Sequence, residues 1–389
     1  MSPPGRNLDV FLVAAESSGD ALGASLMRAL TSLTDGAAAF RGAGGARMEA
    51  AGLATLFHSH DIGGIGIAAI LTKLPLIAQR LSDIVNAIVT NPPDVLILID
   101  APDFSQRVAA RVRRRLPKLR IVKYVSPTVW VWRPWRARAM RRTTDLILAI
   151  LPFEPEVHRR LGGPPCVYVG HPLLEHVEDF RPTPADRAAQ SGVPLVLVLP
   201  GSRRQEIKRL APVFGETLGR VAAQRGPFDL VLPTLPHRRD EIALATAEWP
   251  VQPRIVTDEA EKHAVFRRAR AALAASGTVT LELGLAHVPQ VVAYRVPLIE
   301  GWIGRLLVLV HSVVLTNLIL GENVVPEFLQ TACTADNLTP ALADIIGDTP
   351  ARRRQAEALC RLDGILAIDG KPSERAAHAV LDLLGRASP

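Results

Sequence analysis

Short apolar runs alternate along the chain with longer stretches in which apolar positions recur every three or four residues. The short runs are rich in Val, Ile and Leu and show no polar alternation, as strands buried on both faces of a parallel sheet require. They predict strands at 9–15 (DVFLVAA), 94–100 (DVLILID), 120–125 (RIVKYV), 146–151 (LILAIL) and 166–170 (CVYVG) in the first half. In the second half the same rhythm predicts strands at 195–200, 229–233, 254–257, 271–276 and 290–295. Helices fill the gaps, among them ALGASLMRALTSL after the first strand. Between the halves, EHVEDFRPTPADRAAQSGVP (175–194) is polar and proline-bearing and reads as a linker. The pattern predicts an α/β protein of two Rossmann-like domains facing a cleft, 1–174 and 195–351, followed by a helical tail, 352–389. In such sheets ligands sit beyond the carboxyl ends of strands, so the loops that follow the strands are where chemistry is expected.

Composition agrees with a folded protein of two domains: 389 residues, 48% hydrophobic and 21% charged. The net charge of +7 favours anionic partners without choosing among them. Cys166, Cys333 and Cys360 lack metal-like spacing and read as thiols in a reducing compartment. The opening MSPPGRNLDVFLVAAESSGD lacks a signal-peptide pattern, its apolar run being too short. The most apolar later segment, 298–320, carries Glu300, Arg305, His311 and Asn317. It is expected to be buried or to lie in an interface, not to span a bilayer, because a central arginine alone costs about 2.5–3.5 kcal/mol there.

Five strand-end segments stand out. Glu16, Ser17 and Ser18 lead into Gly19 and Asp20, which suit either a plain turn with Asp20 as N-cap or a helix N-terminus that receives an anion, which would put Glu16, Ser17 and Ser18 at an acceptor or membrane surface. RGAGGARM (41–48) would let a backbone approach a ligand, although it lacks the dinucleotide fingerprint's spacing. The apolar run DVLILID ends in Asp100, where a carboxylate can serve as general base toward a sugar hydroxyl, while Asp103 reads as a cap of the next helix. In PGSRRQEIKRL, Gly201 and Ser202 offer backbone N–H groups and Arg203 a forked cation suited to a diphosphate. In ASGTVTLELGL, Ser276, Gly277 and Thr278 repeat the device, and Glu282 lies one turn beyond Thr278, placed to accept ribose hydroxyls. No acidic pair with metal-binding spacing accompanies them, so neither metal nor cofactor is expected.

SPTVWVWRPWRARAMRRT (126–143) concentrates three of the five tryptophans, Trp130, Trp132 and Trp135, with Arg133, Arg136, Arg138, Arg141 and Arg142. The alternation W-V-W suggests an extended segment with both rings on one side. Packing between domains and contact with an anionic membrane both suit it, since indoles and basic residues favour the interfacial zone. The apolar run IGGIGIAAILTKLPLIA (62–78), which includes Ile65 and Ile70, fits the same interface. A nucleic-acid role would use the basic and stacking residues but explains neither Asp100 nor that run.

Taken together, AAESSGDALGASLMRAL, FRGAGGARMEAAG, LILIDAPDFSQRVA, YVSPTVWVWRPWR, LPFEPEV, YVGHPLLE, LPGSRRQEI, ASGTVTLE, VVAYR and LTNLILGENVVPEFLQ resemble the lipid A disaccharide synthase family, inverting glycosyltransferases of the GT-B type. The resemblance implies transfer of a diacylglucosaminyl unit from UDP-2,3-diacylglucosamine to the 6-hydroxyl of 2,3-diacylglucosamine 1-phosphate. It implies Asp100 as base, Arg203 on the diphosphate, Ser276 to Thr278 along the phosphates, Glu282 on the ribose and Asn317 near the nucleotide. It also implies a metal-independent reaction and a cytoplasmic protein, peripheral on the cytoplasmic face of the inner membrane, possible as a homodimer, with the tail packed back on the first domain. The chain departs from the family pattern at Ala46, where proline is usual, and at Ile65 and Ala69, where relatives often carry methionine and glutamate. Two other readings share features with it: a UDP-sugar 2-epimerase, which would need no apolar surface, and a non-catalytic lipid-binding relative, which could lose Asp100 and Arg203.

Overall fold

The computed structural model describes residues 7–58, 67–188, 192–295 and 312–386, those at 58, 67–73 and 187–188 by backbone only. The chain forms two compact units, residues 1–175 with 368–389, and residues 176–367.

The strands of the first unit are β1 (Leu8–Ala14), β2 (Ala38–Gly44), β3 (Leu53–His58), β4 (Val95–Ile99), β5 (Arg120–Tyr124), β6 (Leu146–Ala149) and β7 (Cys166–Tyr168). All are parallel, in the order β3-β2-β1-β4-β5-β6-β7. The apolar runs form strands because a parallel sheet hides both of its faces, and β4 is buried at every position. Alternate residues face opposite layers. Leu12, Ile97 and Tyr124 pack with Leu26, Met27 and Leu30 of the helix Ser17–Leu33 and with Ala376, Val380 and Leu381 of the helix Pro372–Leu383. On the other face Val13, Leu98 and Ile121 meet Ile84 and Ile88 of the helix Ile67–Thr90 and Val108 and Val112 of the helix Pro102–Arg115.

The second unit contains β8 (Leu195–Leu199), β9 (Asp229–Pro233), β10 (Arg254–Val256), β11 (Ala271–Ala275), β12 (Gln290–Tyr294) and β13 (Glu327–Leu329). They form a parallel sheet in the order β10-β9-β8-β11-β12-β13. Its core joins Val196, Leu232 and Leu273 to Leu210, Phe214 and Leu218 of the helix Arg204–Arg225 and to Leu338 and Leu342 of the helix Ala335–Ile346. Both units thus repeat the Rossmann order, with the direction of winding reversing between β1 and β4 and between β8 and β11.

Several expectations change. The glycine cluster 41–48 is not a loop throughout: it supplies the end of β2 and the start of the helix Ala46–Ala50. Gly42 is held against β1 so closely that a Cβ would stand 1.8 Å from the Leu12 carbonyl oxygen. Residues 128–132 form a turn, not an extended strand, with the N–H groups of Val131 and Trp132 both bonded to the Thr128 carbonyl. The polar segment after residue 175 folds within the second unit: Val177–Phe180 and Pro184–Ala188 are helical, and the buried Phe180 ring lies 5.6 Å from that of His263. Of the tail, the helix Pro350–Leu366 stays with the second unit, and only Pro372–Leu383 joins the first. Of the apolar segment 298–320, residues up to 311 lie outside the described residues and Leu315–Leu320 is a short helix. Among the described residues no helix is long and apolar enough to cross a membrane.

Candidate functional site

In the first unit β1 and β4 deliver Glu16–Gly19 and Asp100 to the same edge of the sheet. A Cβ on Gly19 would stand 3.8 Å from the Asp100 Cβ, so a larger side chain would crowd the aspartate. Glu16, Ser17 and Ser18 are exposed there. Asp20 does not cap its own helix. It is buried, and its carboxylate accepts the N–H groups of Gly45 (2.9 Å), Arg47 (3.1 Å) and Met48 (3.0 Å), fastening the helix Ala46–Ala50 beside the same edge.

Asp100 has an unusual backbone. Its φ is +50° and that of Ala101 +42°, a left-handed pair of non-glycine residues, each costing on the order of 1–3 kcal/mol and tolerated only where neighbours enforce it. They do. The Asp100 N–H bonds the Tyr124 carbonyl at 3.0 Å, its Oδ1 accepts the Ala101 N–H at 2.9 Å, and its carbonyl accepts the Ser105 hydroxyl at 2.7 Å. The same carbonyl accepts the Lys123 ammonium, which also lies 3.2 Å from Ser105 Oγ. Lys123 sits in the middle of the sheet, 4% exposed. Burial lowers its pKa to about 7 against the opposing pull of Asp100. The sequence reading passed over Lys123, although a lysine inside the apolar run RIVKYV is itself a signal. Asp103 is exposed and paired with Arg136.

The second unit places a pocket of about 380 Å³ at the carboxyl ends of β8 and β11. It gathers Gly201, Ser202, Arg203, Ser276, Gly277, Thr278 and Glu282. Gly201 takes φ +108°, and a Cβ there would lie 2.5 Å from Glu206 Oε2. That oxygen accepts the N–H groups of Ser202 and Arg203, each at 3.2 Å, so that the Glu206 carboxylate folds back on the head of the helix Arg204–Arg225. The Arg203 side chain remains 81% exposed, so its guanidinium is available to a ligand. Across the pocket, the space in front of Gly277 is open for 4 Å. The N–H groups of Gly277 and Thr278 have no acceptor among the described residues. Ser276 Oγ donates to the Val313 carbonyl at 3.0 Å and thus helps to hold the loop.

Glu282 is buried, and its Oε1 lies 2.6 Å from Lys262 Nζ. Burial works against charge on Lys262, but Glu282 and then Glu259 more than offset it, so its pKa is raised. Glu259, His263 and Glu282 hold donor atoms within 4.8 Å of one another, and the Lys262 ammonium bonds both carboxylates of that group. Lys262, Glu259, Glu206 and Tyr294 also line the pocket and escaped the sequence reading. Lys262 and Glu259 lie on the helix Glu259–Arg268, which follows β10 and whose sequence, EAEKHAVFRR, reads as an ordinary solvated helix.

Asn317 does not line this pocket. It is fully buried, and its side-chain amide makes four bonds. Its Nδ2 donates to Ser312 Oγ (3.4 Å) and the Val325 carbonyl (2.9 Å), while its Oδ1 accepts the N–H groups of Val324 (3.1 Å) and Val325 (2.9 Å). Its bonding capacity is spent on Ser312 and the backbone of Val324 and Val325, which leaves none for a nucleotide.

The aromatic and basic stretch divides. Trp130 is structural, its ring edge-on to Phe153 at 5.1 Å and its Nε1 donating to Glu154 Oε1 at 3.3 Å. Trp132 lies under Arg133 and Arg136, whose guanidinium carbons stand 4.0 and 5.7 Å from its ring centre. Trp135 is 63% exposed, and Arg138, Arg141 and Arg142 are exposed beside it in the chain. Ile65 lies outside the described residues. Ile70 and Ala69 fall in the helix Ile67–Thr90 where the side chains are not described.

Two Rossmann-like units in one chain, one with a pocket of free amides, arginine and a buried carboxylate, define the GT-B class that sugar-nucleotide glycosyltransferases and epimerases share. Of solved structures, the UDP-GlcNAc 2-epimerase from Neisseria meningitidis covers 98% of this chain and 100% of its own, with a TM-score of 0.61 at 9% identity, a likeness of fold alone. The lipid-A-disaccharide synthetase family profile matches residues 10–377. The lipid-A-disaccharide synthase of Rhodopseudomonas palustris (strain HaA2) is 54% identical over 378 residues, 96% of each chain. That of Nitrobacter hamburgensis is 52% identical over 377 residues, 96% of this chain and 95% of its own. The chain belongs to the lipid-A-disaccharide synthase family.

Proposed function

We propose that this glycosyltransferase condenses UDP-2,3-diacylglucosamine with 2,3-diacylglucosamine 1-phosphate, giving a β-1,6-linked disaccharide 1-phosphate and UDP. The observation that carries the reading is the pocket of the second unit, in a chain that belongs to this family. The UDP diphosphate lies against the free N–H groups of Gly277 and Thr278 and the Arg203 guanidinium, where forked cations and amides stabilise departing negative charge. The second carboxylate oxygen of Glu282, not held by Lys262, accepts the ribose hydroxyls. Asp100 takes the proton of the acceptor 6-hydroxyl as its oxygen bonds the anomeric carbon and the bond from that carbon to the diphosphate breaks, inverting the centre.

Acylated substrates reside at a membrane surface, which on this reading is the cytoplasmic face of the inner membrane. Exposed Trp135 and Arg138, Arg141 and Arg142 are the residues we assign to that contact, with about 1 kcal/mol per basic residue from anionic lipid. Leu74, 44% exposed on the helix Ile67–Thr90, adds apolar surface.

The test is UDP release by the purified protein in detergent without added divalent metal, with and without acceptor, beside Asp100→Ala. Acceptor-dependent release with a disaccharide product, lost in Asp100→Ala, is expected. Release that ignores the acceptor would replace transfer with hydrolysis, and a donor converted without loss of UDP would make the protein an epimerase.

A further inference from the structure

The most unusual buried group outside the donor pocket is Lys123. A lysine in the interior of a parallel sheet bears a desolvation cost that apolar residues at the same position do not, and its neighbours on β5, Val122 and Tyr124, are both fully enclosed. Lys123 shares a face of β5 with Ile121, which packs toward the helix Pro102–Arg115. There its ammonium meets the Ser105 hydroxyl of that helix and the Asp100 carbonyl at the end of β4, and the hydroxyl in turn donates to the same carbonyl. Two polar side chains, one from a strand and one from a helix, close on one oxygen atom of the loop after β4. That oxygen belongs to the first residue of the left-handed pair.

We propose that Lys123 is a positioning residue for Asp100: with Ser105 it clamps the Asp100 carbonyl and so holds the left-handed turn that sets where the carboxylate stands. This rests on the reading of Asp100 as the base. The carbonyl of a residue and its side chain turn together about the same α-carbon, so releasing the carbonyl frees the backbone to relax toward an ordinary φ. Such relaxation swings the Cβ by an ångström or more, and reacting groups misplaced by that much lose about a hundredfold in rate. The clamp touches no substrate, so its loss acts on turnover and not on binding.

The experiment compares Lys123→Met, Ser105→Ala, Asp100→Asn and the double variants Lys123→Met/Asp100→Asn and Lys123→Met/Ser105→Ala by steady-state kinetics on both lipid substrates, with thermal unfolding in parallel. Lys123→Met is expected to lower kcat by roughly tenfold to a hundredfold with both KM values within about twofold of the parent, at a melting temperature no lower than the parent's, because a buried cation has been replaced by an apolar side chain. Ser105→Ala, the gentler change, is expected to lower kcat by roughly threefold to fivefold, and to add nothing to Lys123→Met. On the slow Asp100→Asn background Lys123→Met should change kcat by less than about twofold, because nothing remains to be positioned. Unchanged kcat in both single variants, or losses that multiply on the Asp100→Asn background, would overturn the clamp while leaving Asp100 as base. An Asp100→Asn variant with parental kcat would overturn the base itself, and the clamp with it.

Discussion

Glu282 and Asn317 are both buried polar side chains on short helices, but only one has bonding capacity to spare. The Glu282 carboxylate gives one oxygen to Lys262 and takes no other hydrogen bond from the described residues. Replacing it by glutamine keeps shape and removes charge, and is expected to raise the donor KM about tenfold, equivalent to about 1.4 kcal/mol, with kcat little changed. Titration of the variant with UDP alone checks this, since affinity equal to the parent's would remove Glu282 from the donor site. Asn317→Ala has the opposite signature. It strands the Val325 N–H group and the Val325 carbonyl, and should cost about 3 kcal/mol of stability, or roughly 6–12 °C in melting temperature, with the donor KM unchanged once folded. In the sequence the two residues look alike, each a polar side chain among leucines after a small-residue segment. The difference is made by residues 324 and 325, which arrive from another loop, and no local pattern announces that. Asp100, by contrast, was legible, because an apolar run ending in a carboxylate places that group at the sheet's edge whatever the rest of the fold does.

At the scale of elements, the fully apolar strands were readable and the small-residue strands were not. β2 (AAFRGAG) carries two glycines and three alanines, a composition that strands ordinarily avoid, and its glycines looked like a loop. It forms a strand because Gly42 lets two backbones meet. At φ +144°, with the Leu12 carbonyl where a Cβ would go, Gly42→Ala cannot keep the β1–β2 register and is expected to abolish folding. Gly52→Ala is the contrasting case: its φ is +98°, but nothing stands within 4 Å of its Cβ position. That change should cost only about 1–2 kcal/mol of local strain and leave a soluble protein, as yield and circular dichroism of the two variants would show. The W-V-W segment misled for a related reason. Alternation implies a strand only if the backbone is extended, and the left-handed Arg133 (φ +54°) instead closes a turn that half-buries Trp130 and stacks arginines on Trp132.

For the whole molecule, three buried groups set opposing pH dependences. Burial raises the pKa of Glu154 from its ordinary 4.5 to about 7, so the folded state binds more protons than the unfolded one between those values, and stability falls as pH rises through them. Burial lowers His158 and His171 from 6.5 to about 4, so there the unfolded state binds more protons, and stability rises with pH between about 4 and 6.5. His158, whose Nε2 lies 2.9 Å from Ser126 Oγ, therefore largely cancels Glu154. His158→Gln is expected to make the slope of unfolding free energy against pH, measured by urea denaturation between pH 5 and 6, more negative by about 1.4 kcal/mol per unit. An unaltered slope would mean that this histidine is protonated in the folded state.

The first unit is discontinuous: its sheet ends at residue 168, yet one of its covering helices, Pro372–Leu383, arrives after the whole second unit. Ala376, Ala377, Val380 and Leu381 of that helix are buried against strands made some two hundred residues earlier. During synthesis at roughly 5–20 residues per second, the half that emerges first must wait tens of seconds with an apolar face unsealed. The half that emerges second, uninterrupted from 176 to 367, has every segment it needs beforehand. The order of birth and the order of completion are thus reversed, and a released chain cut at residue 367 would hold a finished donor domain tethered to an unfinished partner that invites a chaperone.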